Sequence, residues 1–235
     1  MAIKVDRLTK RYGTQLALDN VSFETQKNSI VGFLGPNGAG KSTTMKILAG
    51  LLPASAGKSS ILHIDIAEQP LSAKRKLGFL PENNPLYVDM YVRELLHYEA
   101  DTHRIKNKSE RIHSVIEQTG LTDAQHKKIG ELSKGYRQRV GLALCIIHNP
   151  EVLPLDEPTS GLDPNQIIEI RALIKELGKE KTVLLSTHLM QEVEALCDEI
   201  IILNRGKIQD HFLVKDMQEK YPDQSLEEIF VRLTK

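Results

Sequence analysis

The sequence predicts an α/β fold with a mainly parallel β-sheet, a small antiparallel β part at the N-terminus and an inserted α-helical region. Short apolar runs alternate with amphipathic stretches along most of the 235 residues, a pattern typical of a parallel sheet with helices on both faces. A glycine-rich loop joins an early strand to a helix. Between residues 85 and 147 the helical period continues without a convincing strand. These three observations give the fold class.

The predicted elements of the first 84 residues surround the glycine-rich loop. The run Ser29–Leu34 is typical of a buried strand before the loop, and Thr43–Leu51 of the helix after it. Two strands precede them, Ile3–Leu8 and Leu18–Phe23, with Tyr12 and Gly13 in the turn. After the helix we expect a turn over Pro53–Lys58, an alternating strand over Ile61–Ile66, and a short apolar run over Leu77–Leu80 that Pro81 closes.

Strand signals resume after the helical stretch. We predict strands over Val152–Leu155, Thr182–Ser186 and Ile200–Leu203, with helices Pro164–Leu177 and Leu189–Leu196 between them and a hairpin turn over Asn204–Lys207 into Ile208. A short amphipathic helix, Ser225–Leu233, follows with Ser225 as its N-cap. The sequence thus predicts one domain over residues 1–235, with a core of residues 1–84 and 149–212, a helical subdomain of 85–148 and a C-terminal tail helix within 213–235.

Composition excludes several classes of function. Lys and Arg total 31 and Asp and Glu total 31, so the formal net charge is zero and no global basic field attracts nucleic acid or anionic lipid. Cys145 and Cys197 lie in apolar helical patterns and are expected to be buried thiols in a reducing compartment. The histidines show no paired metal-ligand spacing. We see no signal peptide, and the longest apolar stretch, Val140–Ile147, is too short to cross a bilayer. A role at a membrane would therefore require a partner.

The residues Gly35–Ser42 match G-x-x-x-x-G-K-[ST], the P-loop that wraps nucleotide phosphates. The alternative, a plain glycine-rich turn with a solvated lysine, does not explain the strand before the motif and the helix after it. Lys41 is expected to reach the β- and γ-phosphates, and the Ser42 hydroxyl to ligate Mg²⁺. The predicted ligands are therefore the phosphates of a nucleotide and Mg²⁺, and the predicted phosphate-binding residues are Gly35, Pro36, Asn37, Gly38, Ala39, Gly40, Lys41, Ser42 and Thr43.

A second set of motifs narrows the family, since P-loops occur in kinases, GTPases and many ATPases. The stretch Leu132–Gln138 resembles the L-S-G-G-Q signature of ABC-type ATPases. The stretch Leu155–Asp163 resembles the family's Walker B strand end, catalytic glutamate and D-loop. Ser186–His188, at the end of the next strand, looks like the switch histidine. All occur in family order, so the chain resembles an ABC ATPase over nearly its whole length, which implies a P-loop NTPase (RecA-like) core.

The resemblance implies a site shared by two copies. Two chains would sandwich two ATP molecules head to tail, each nucleotide lying on the P-loop of one copy and under the signature of the other. The signature residues acting in trans would be Ser133, Lys134, Gly135 and Tyr136, with Asp163 in the D-loop. Glycine at 135 would let backbone approach the γ-phosphate.

The same resemblance assigns the remaining roles. Asp156 would hold Mg²⁺, and Glu157 would polarise the attacking water as general base. His188 would contact the γ-phosphate, and Tyr12 would stack on adenine. Considered alone, a carboxylate pair or a histidine at a strand end is more often a solvated turn or a structural group, so these roles depend on the neighbouring motifs.

Three features depart from the family pattern. Lys134 and Tyr136 replace a glycine and a glutamine of the signature, while its serine and second glycine remain. Glu82 stands where the family commonly has the Q-loop glutamine; a carboxylate there can bind Mg²⁺ or repel the γ-phosphate. Pro154 interrupts the strand before Asp156, where we expect a central strand with a local defect.

The leading functional hypothesis is the ATP-binding and ATP-hydrolysing subunit of an ABC membrane transporter, at the cytoplasmic face of the inner membrane. The chain most resembles the stand-alone ATPases of the drug, haem and sodium exporter-like group. Residues 132–144, 163–170 and 225–230 look most like gliding-motility-associated members. The expected partners are a second copy of the chain and an integral membrane subunit, docked on Pro85–Arg111 near Tyr87, Tyr91 and Tyr98. The alternatives are a soluble ABC ATPase acting on ribosomes or DNA, and a P-loop kinase or GTPase.

Overall fold

The computed structural model describes all 235 residues and contains nine strands and nine α-helices. The strands are β1 (Ile3–Tyr12), β2 (Gln15–Glu24), β3 (Ile30–Leu34), β4 (Ala56–Ile61), β5 (Ile64–Asp65), β6 (Val152–Asp156), β7 (Thr182–Thr187), β8 (Glu199–Asn204) and β9 (Lys207–Leu213). The helices are α1 (Lys41–Leu48), α2 (Pro70–Arg75), α3 (Val92–Thr102), α4 (Lys108–Gln118), α5 (Lys134–Ile146), α6 (Pro164–Gly178), α7 (Met190–Leu196), α8 (Met217–Lys220) and α9 (Leu226–Thr234).

Two sheets make up the β structure. The larger sheet has the order β6-β7-β3-β8-β9, in which β6, β7, β3 and β8 run parallel and β9 returns antiparallel. The smaller sheet, β2-β1-β4-β5, is antiparallel throughout. The predicted fold class is therefore confirmed: a mainly parallel sheet, an antiparallel part near the N-terminus, and a helical region.

Strand β3 separates two hydrophobic cores because its side chains alternate between the faces of the sheet. Ile30 and Leu34 pack into the core that includes the helices α3 to α7. Val31 and Phe33 pack into the second core, which α1 and the antiparallel sheet share. The strand is buried on both faces, as expected in the middle of a parallel sheet, and it fixes the position of the loop that follows it.

The segment Ile61–Ile66 is not the single strand that the sequence predicts. Leu62 and His63 have φ of 50° and 67°, and they form a two-residue turn between β4 and β5. Positive φ at both central residues is the geometry of a tight hairpin, usually built with Asn or Gly. Strand β4 also begins at Ala56, inside the stretch predicted as a turn. The alternating pattern was correct for β structure and wrong about where the chain reverses.

Strand β6 forms despite Pro154, but it is not a central strand of the five-stranded sheet. It pairs with β7 in regular register through Pro154, and its other side meets residues 77–80 through isolated bridges at Leu77 and Leu80. The Pro154 carbonyl accepts from the Leu80 N–H at 3.0 Å, so the missing N–H of Pro154 faces the same segment. The predicted defect therefore lies on the outer side of β6, and the β7 ladder is intact.

The stretch between residues 85 and 148 contains α3, α4 and α5 and no strand. Near the C-terminus, α9 is capped by Ser225, whose side chain accepts from the Glu228 N–H. Leu226 and Ile229 of this helix are buried in the larger core, so the tail packs onto the fold. No helix of the chain combines the length and the apolar character needed to cross a bilayer.

Candidate functional site

In the loop between β3 and α1, two glycines lie so close to neighbouring backbone that neither position has room for a side chain. Gly40 precedes α1 with φ of 110°, a conformation that favours glycine. A Cβ on Gly40 would lie 2.8 Å from a carbonyl oxygen of β2, and a Cβ on Gly35 would lie 2.5 Å from one of β8. Helix α1 begins at Lys41, so Lys41 and Ser42 lie in its first turn, where free N–H groups and the helix dipole favour an anion.

Lys41 is only 6% exposed. Its Nζ donates to the Gly35 carbonyl at 2.7 Å and to the Pro36 carbonyl at 3.3 Å, and it lies 3.7 Å from Oε1 of Glu157. Burial lowers the pKa of Lys41, and nearby carboxylates, Glu157 first, oppose that shift. The site thus holds a desolvated ammonium group beside the N-terminus of α1.

The ends of two neighbouring parallel strands bring Glu157 and His188 together. Glu157 directly follows β6, and His188 directly follows β7. His188 Nδ1 lies 3.0 Å from Glu157 Oε2. Glu157 has a φ of 50°, an uncommon conformation for a residue other than glycine, and its N–H donates to the Ser186 carbonyl of β7 at 3.0 Å. Strained backbone of this kind is concentrated at functional sites, so Glu157 is a candidate functional residue.

A buried carboxylate beside Glu157, that of Asp156, has an oxygen without a protein partner. The Asp156 side chain is buried, and its Oδ1 has no hydrogen-bond partner, which leaves a carboxylate oxygen free to serve a cation. No group of three or more His, Cys, Asp or Glu side chains is placed to hold a metal ion. Magnesium suits such a site, because it is usually bound by one or two carboxylates together with phosphate oxygens and water.

A cavity of about 540 Å³ lies over the loop and joins most of the predicted nucleotide-binding residues. Its size suits a small-molecule ligand. It is lined by Tyr12, Gln15, Ala17, Asn37, Gly38, Ala39, Gly40, Lys41, Ser42, Thr43, Glu82, Glu157, Ser160 and His188. Gln15, Ala17 and Ser160 were not among the predicted residues. Gln15 pairs with Tyr12 across the β1–β2 hairpin, which is the signal that could have identified it.

Two residues at the rim of this cavity are open to solvent. The Tyr12 side chain is 46% exposed, and Lys10 Nζ lies 5.3 Å from the centre of its ring. Glu82 is exposed and lines the cavity, and its charge acts on Lys41. Both side chains can therefore reach a bound ligand.

The signature residues do not line this cavity. Ser133 is exposed and is the N-cap of α5, where its side chain accepts from the Tyr136 N–H at 3.4 Å. A Cβ on Gly135 would lie 2.6 Å from the side chain of Gln166 on α6, so this glycine also permits packing between α5 and α6. Within one chain, the signature residues therefore lie outside the cavity that the P-loop forms.

Two further predicted residues have structural partners outside the cavity. The Asp163 side chain caps α6 by accepting from the Gln166 N–H at 3.0 Å, with Pro164 at the first helical position. Lys134 is exposed, and its Nζ lies over the backbone of Gly161, 2.2 Å from where a Cβ on that glycine would be. The signature and the D-loop are thus neighbours on one surface.

Comparison with known proteins agrees with this geometry. The family described as ABC transporter matches residues 18–160. The ABC transporter ATP-binding protein YhcH of Bacillus subtilis is 40% identical over 217 residues, which covers 91% of this chain and 70% of that protein. The bacitracin transport ATP-binding protein BcrA of Bacillus licheniformis is 38% identical over 208 residues, covering 88% and 68%.

Solved structures show the same fold. An ATP-binding subunit of an ABC transporter superposes with a TM-score of 0.90 at 29% identity, covering 100% of both chains. The dimeric ATP-binding cassette MJ0796, in a post-hydrolysis state bound to ADP and Pi, superposes with a TM-score of 0.81 at 25% identity, covering 90% of this chain and 98% of that one. With the matches in sequence, the fold and the P-loop cavity, this chain belongs to the ABC transporter family, as one of its ATP-binding ATPase cassettes.

Proposed function

We propose that two copies of this chain bind and hydrolyse ATP at sites shared between them, and that this reaction powers a membrane transporter. One observation carries the proposal. The cavity joins the P-loop to Glu157 and His188, whereas Ser133 and its neighbours lie outside it. The cavity of a single chain therefore provides one half of the proposed phosphate site, and the signature of a second copy would supply the missing half.

In the proposed site, each side chain acts where its position allows. Lys41 binds the β- and γ-phosphates, since its buried ammonium can exchange carbonyl contacts for charge-assisted bonds. Tyr12 stacks on the adenine ring. Glu157 accepts a proton from the attacking water, and His188 orients that carboxylate and the γ-phosphate.

Magnesium, when bound, neutralises the charge that develops on the phosphate oxygens. Ser42 and Asp156 are the proposed protein ligands, and Glu82 at the rim is a third candidate. The partner copy's signature would supply Ser133, Lys134, Gly135 and Tyr136, with Asp163 in the adjoining D-loop. The MJ0796 cassette, solved as a dimer bound to ADP and Pi, supports a dimer as the nucleotide-binding form.

The proposed docking surface for a membrane subunit is the segment Pro85–Arg111. Tyr87, Tyr91 and Tyr98 are 59%, 47% and 53% exposed, so none of them is a core residue. A groove of about 540 Å³ is lined by Pro85 and by residues of α1, α3, α5 and the stretch before Pro85. Glu82, just before the segment Pro85–Arg111, lines the ATP cavity, and this supports a connection between nucleotide and partner.

We divide the chain into a core of residues 1–84 and 149–212, a helical subdomain of 85–148 that carries this surface, and a tail within 213–235.

The proposed location is the cytoplasmic face of the inner membrane. Export is the proposed direction of transport, supported by relatives named for bacitracin and multidrug transport. The gliding-motility subgroup rests only on the sequence stretches that suggested it. Action on ribosomes or DNA is not favoured by these relatives.

Cysteine crosslinking to a co-expressed membrane subunit tests the docking surface. Both native cysteines are buried, so single cysteines placed at Tyr87, Tyr91 and Tyr98 would react against a low background. The control positions are Glu227 and Arg232 on the tail helix. We expect crosslinks from the tyrosine positions in membranes that contain the partner. Crosslinks from the tail positions alone would contradict the proposed surface.

A further inference from the structure

A buried contact joins the turn after Glu157 to the helix after His188. Thr159 Oγ1 donates a hydrogen bond to Oε1 of Glu192. Thr159 is 3% exposed and Glu192 is fully buried. Glu192 lies in the first turn of α7, which begins two residues after His188. Two contacts therefore connect the segments that follow β6 and β7: this one, and the hydrogen bond between Glu157 and His188.

The turn that contains Thr159 is tied to the site by its backbone. The Ser160 N–H donates to the Glu157 carbonyl at 3.1 Å, and the Leu162 N–H donates to the Thr159 carbonyl at 3.2 Å. Ser160 itself lines the ATP cavity. A displacement of Thr159 would therefore be transmitted to Glu157 and to the cavity wall.

The buried side chains near this contact are more polar than close packing alone would require. Arg171 of α6 approaches Glu192, with Nη2 3.8 Å from Oε1, yet Glu192 Oε2 and Arg171 Nε have no hydrogen-bond partner. Ser186 Oγ, at the end of β7, is also buried without a partner. Well-packed apolar side chains are often at least as stabilising as a buried charged pair with unsatisfied atoms. Stability alone therefore does not explain the carboxylate at 192.

We propose that Glu192 and Thr159 are positioning residues, whose contact fixes the turn after Glu157 against the helix after His188 and so sets the geometry of the Glu157–His188 pair. This inference rests on the proposed roles of Glu157 and His188. Positioning acts on the reacting geometry and leaves phosphate binding to the P-loop, so its loss would lower kcat and leave the affinity for ATP nearly unchanged.

Three threonine variants separate positioning from stability. Thr159→Val replaces the hydroxyl with a methyl group of similar shape, and Thr159→Ser keeps the hydroxyl. The matched control is Thr119→Val, because Thr119 is 1% exposed and its hydroxyl donates to the Val115 carbonyl at 2.7 Å, far along the chain from the site. The measurements are kcat and KM for ATP, the Kd for ATP, and the free energy of unfolding.

We expect kcat to fall roughly tenfold or more in Thr159→Val, with Kd little changed, and to recover in Thr159→Ser. Thr119→Val should lose stability without losing kcat. A wild-type kcat in Thr159→Val, or a failure of serine to restore it, would overturn the inference. If the valine variant does not fold, Thr159→Ala removes the same hydroxyl with less volume and is judged by the same outcomes.

Glu157→Gln, assayed in parallel, separates this inference from the function on which it rests. If Glu157→Gln is inactive and Thr159→Val is fully active, only the positioning role fails. If Glu157→Gln turns over at the wild-type rate, the assignment of Glu157 fails and the positioning role fails with it.

Discussion

His188 Nδ1 lies 3.0 Å from Oε2 of Glu157, across 31 residues of sequence. The two residues follow adjacent parallel strands, so the sheet itself brings them together. The same carboxylate lies 3.7 Å from Lys41 Nζ through its other oxygen. Glu157 is therefore placed between a buried cation and a titratable imidazole, at the edge of the cavity that the P-loop forms.

The substitution Glu157→Gln is expected to slow ATP hydrolysis by about a hundredfold or more, because it removes the proposed general base, and to leave the binding groups in place. ATP-bound dimers should therefore accumulate. Size-exclusion chromatography with ATP and Mg²⁺, together with a phosphate-release assay, measures both effects. A variant that stays monomeric and hydrolyses ATP at the wild-type rate would disprove the assignment.

His148 is expected to make stability depend on pH. Its pKa is lowered to about 4, first by burial and then by His103, whose ring stacks on it at a centroid distance of 4.0 Å. The neutral ring can donate from Nε2 to the Leu77 carbonyl at 3.1 Å. Because the unfolded chain binds the proton more readily, this stabilisation is complete above pH 6.5 and is lost as the pH falls towards 4.

Denaturant unfolding of wild type and His148→Gln between pH 7.5 and 4.5 measures this contribution. The stability of the wild type relative to the variant should fall by up to about 1.4 kcal/mol per pH unit below pH 6.5. The same substitution at His113, whose side chain is 66% exposed, controls for loss of an imidazole. Parallel stability curves for wild type and His148→Gln would refute the prediction.

Pro154→Ile is expected to raise the free energy of unfolding by about 1 kcal/mol. The restored N–H would face residues 77–80, where the Gly78 carbonyl has no backbone donor. Pro154 is buried, so overpacking by the larger side chain opposes the gain, and Pro154→Ala restores the N–H without that added volume. Equilibrium denaturation compares the three proteins. If neither variant is more stable than wild type, the missing hydrogen bond at position 154 costs the fold nothing.

The parts of the site that sequence could predict are those whose spacing is set by one loop or one strand end. The motif Gly35–Ser42 fixes the loop and the start of α1 together. Asp156 and Glu157 follow an apolar run, and the carboxyl ends of parallel strands meet at one edge of a sheet. These local rules predict the fold class and the P-loop residues that line the cavity, whereas Tyr12, Glu82 and His188 were predicted from the family resemblance.

What the sequence did not predict depends on turns and packing between distant segments. The reversal at Leu62 and His63 contains neither glycine nor asparagine, so the usual hairpin signal is missing. Ser160 lines the cavity only because the turn after Glu157 folds back on it. The contact between Thr159 and Glu192 joins the turn after Glu157 to the first turn of α7 and has no sequence signature in either segment.

A mixture of two inactive variants, Lys41→Ala and Ser133→Arg, tests the shared site most directly. Lys41→Ala removes a charge-assisted phosphate contact and should weaken ATP binding about tenfold or more. Ser133→Arg should bind ATP in the isolated chain and fail to turn it over, because Ser133 lies outside the chain's own cavity. Each site takes the P-loop of one copy and the signature of the other. In a mixed dimer, one site would therefore contain both substitutions, and the other would contain an unchanged P-loop and an unchanged signature.

The decisive measurement is ATP turnover of the equimolar mixture compared with each variant alone. If the sites form between two copies, random pairing makes half of the dimers mixed, and each has one intact site of two, so the mixture should recover about a quarter of wild-type turnover. A mixture that remains as inactive as its two components would contradict the shared site.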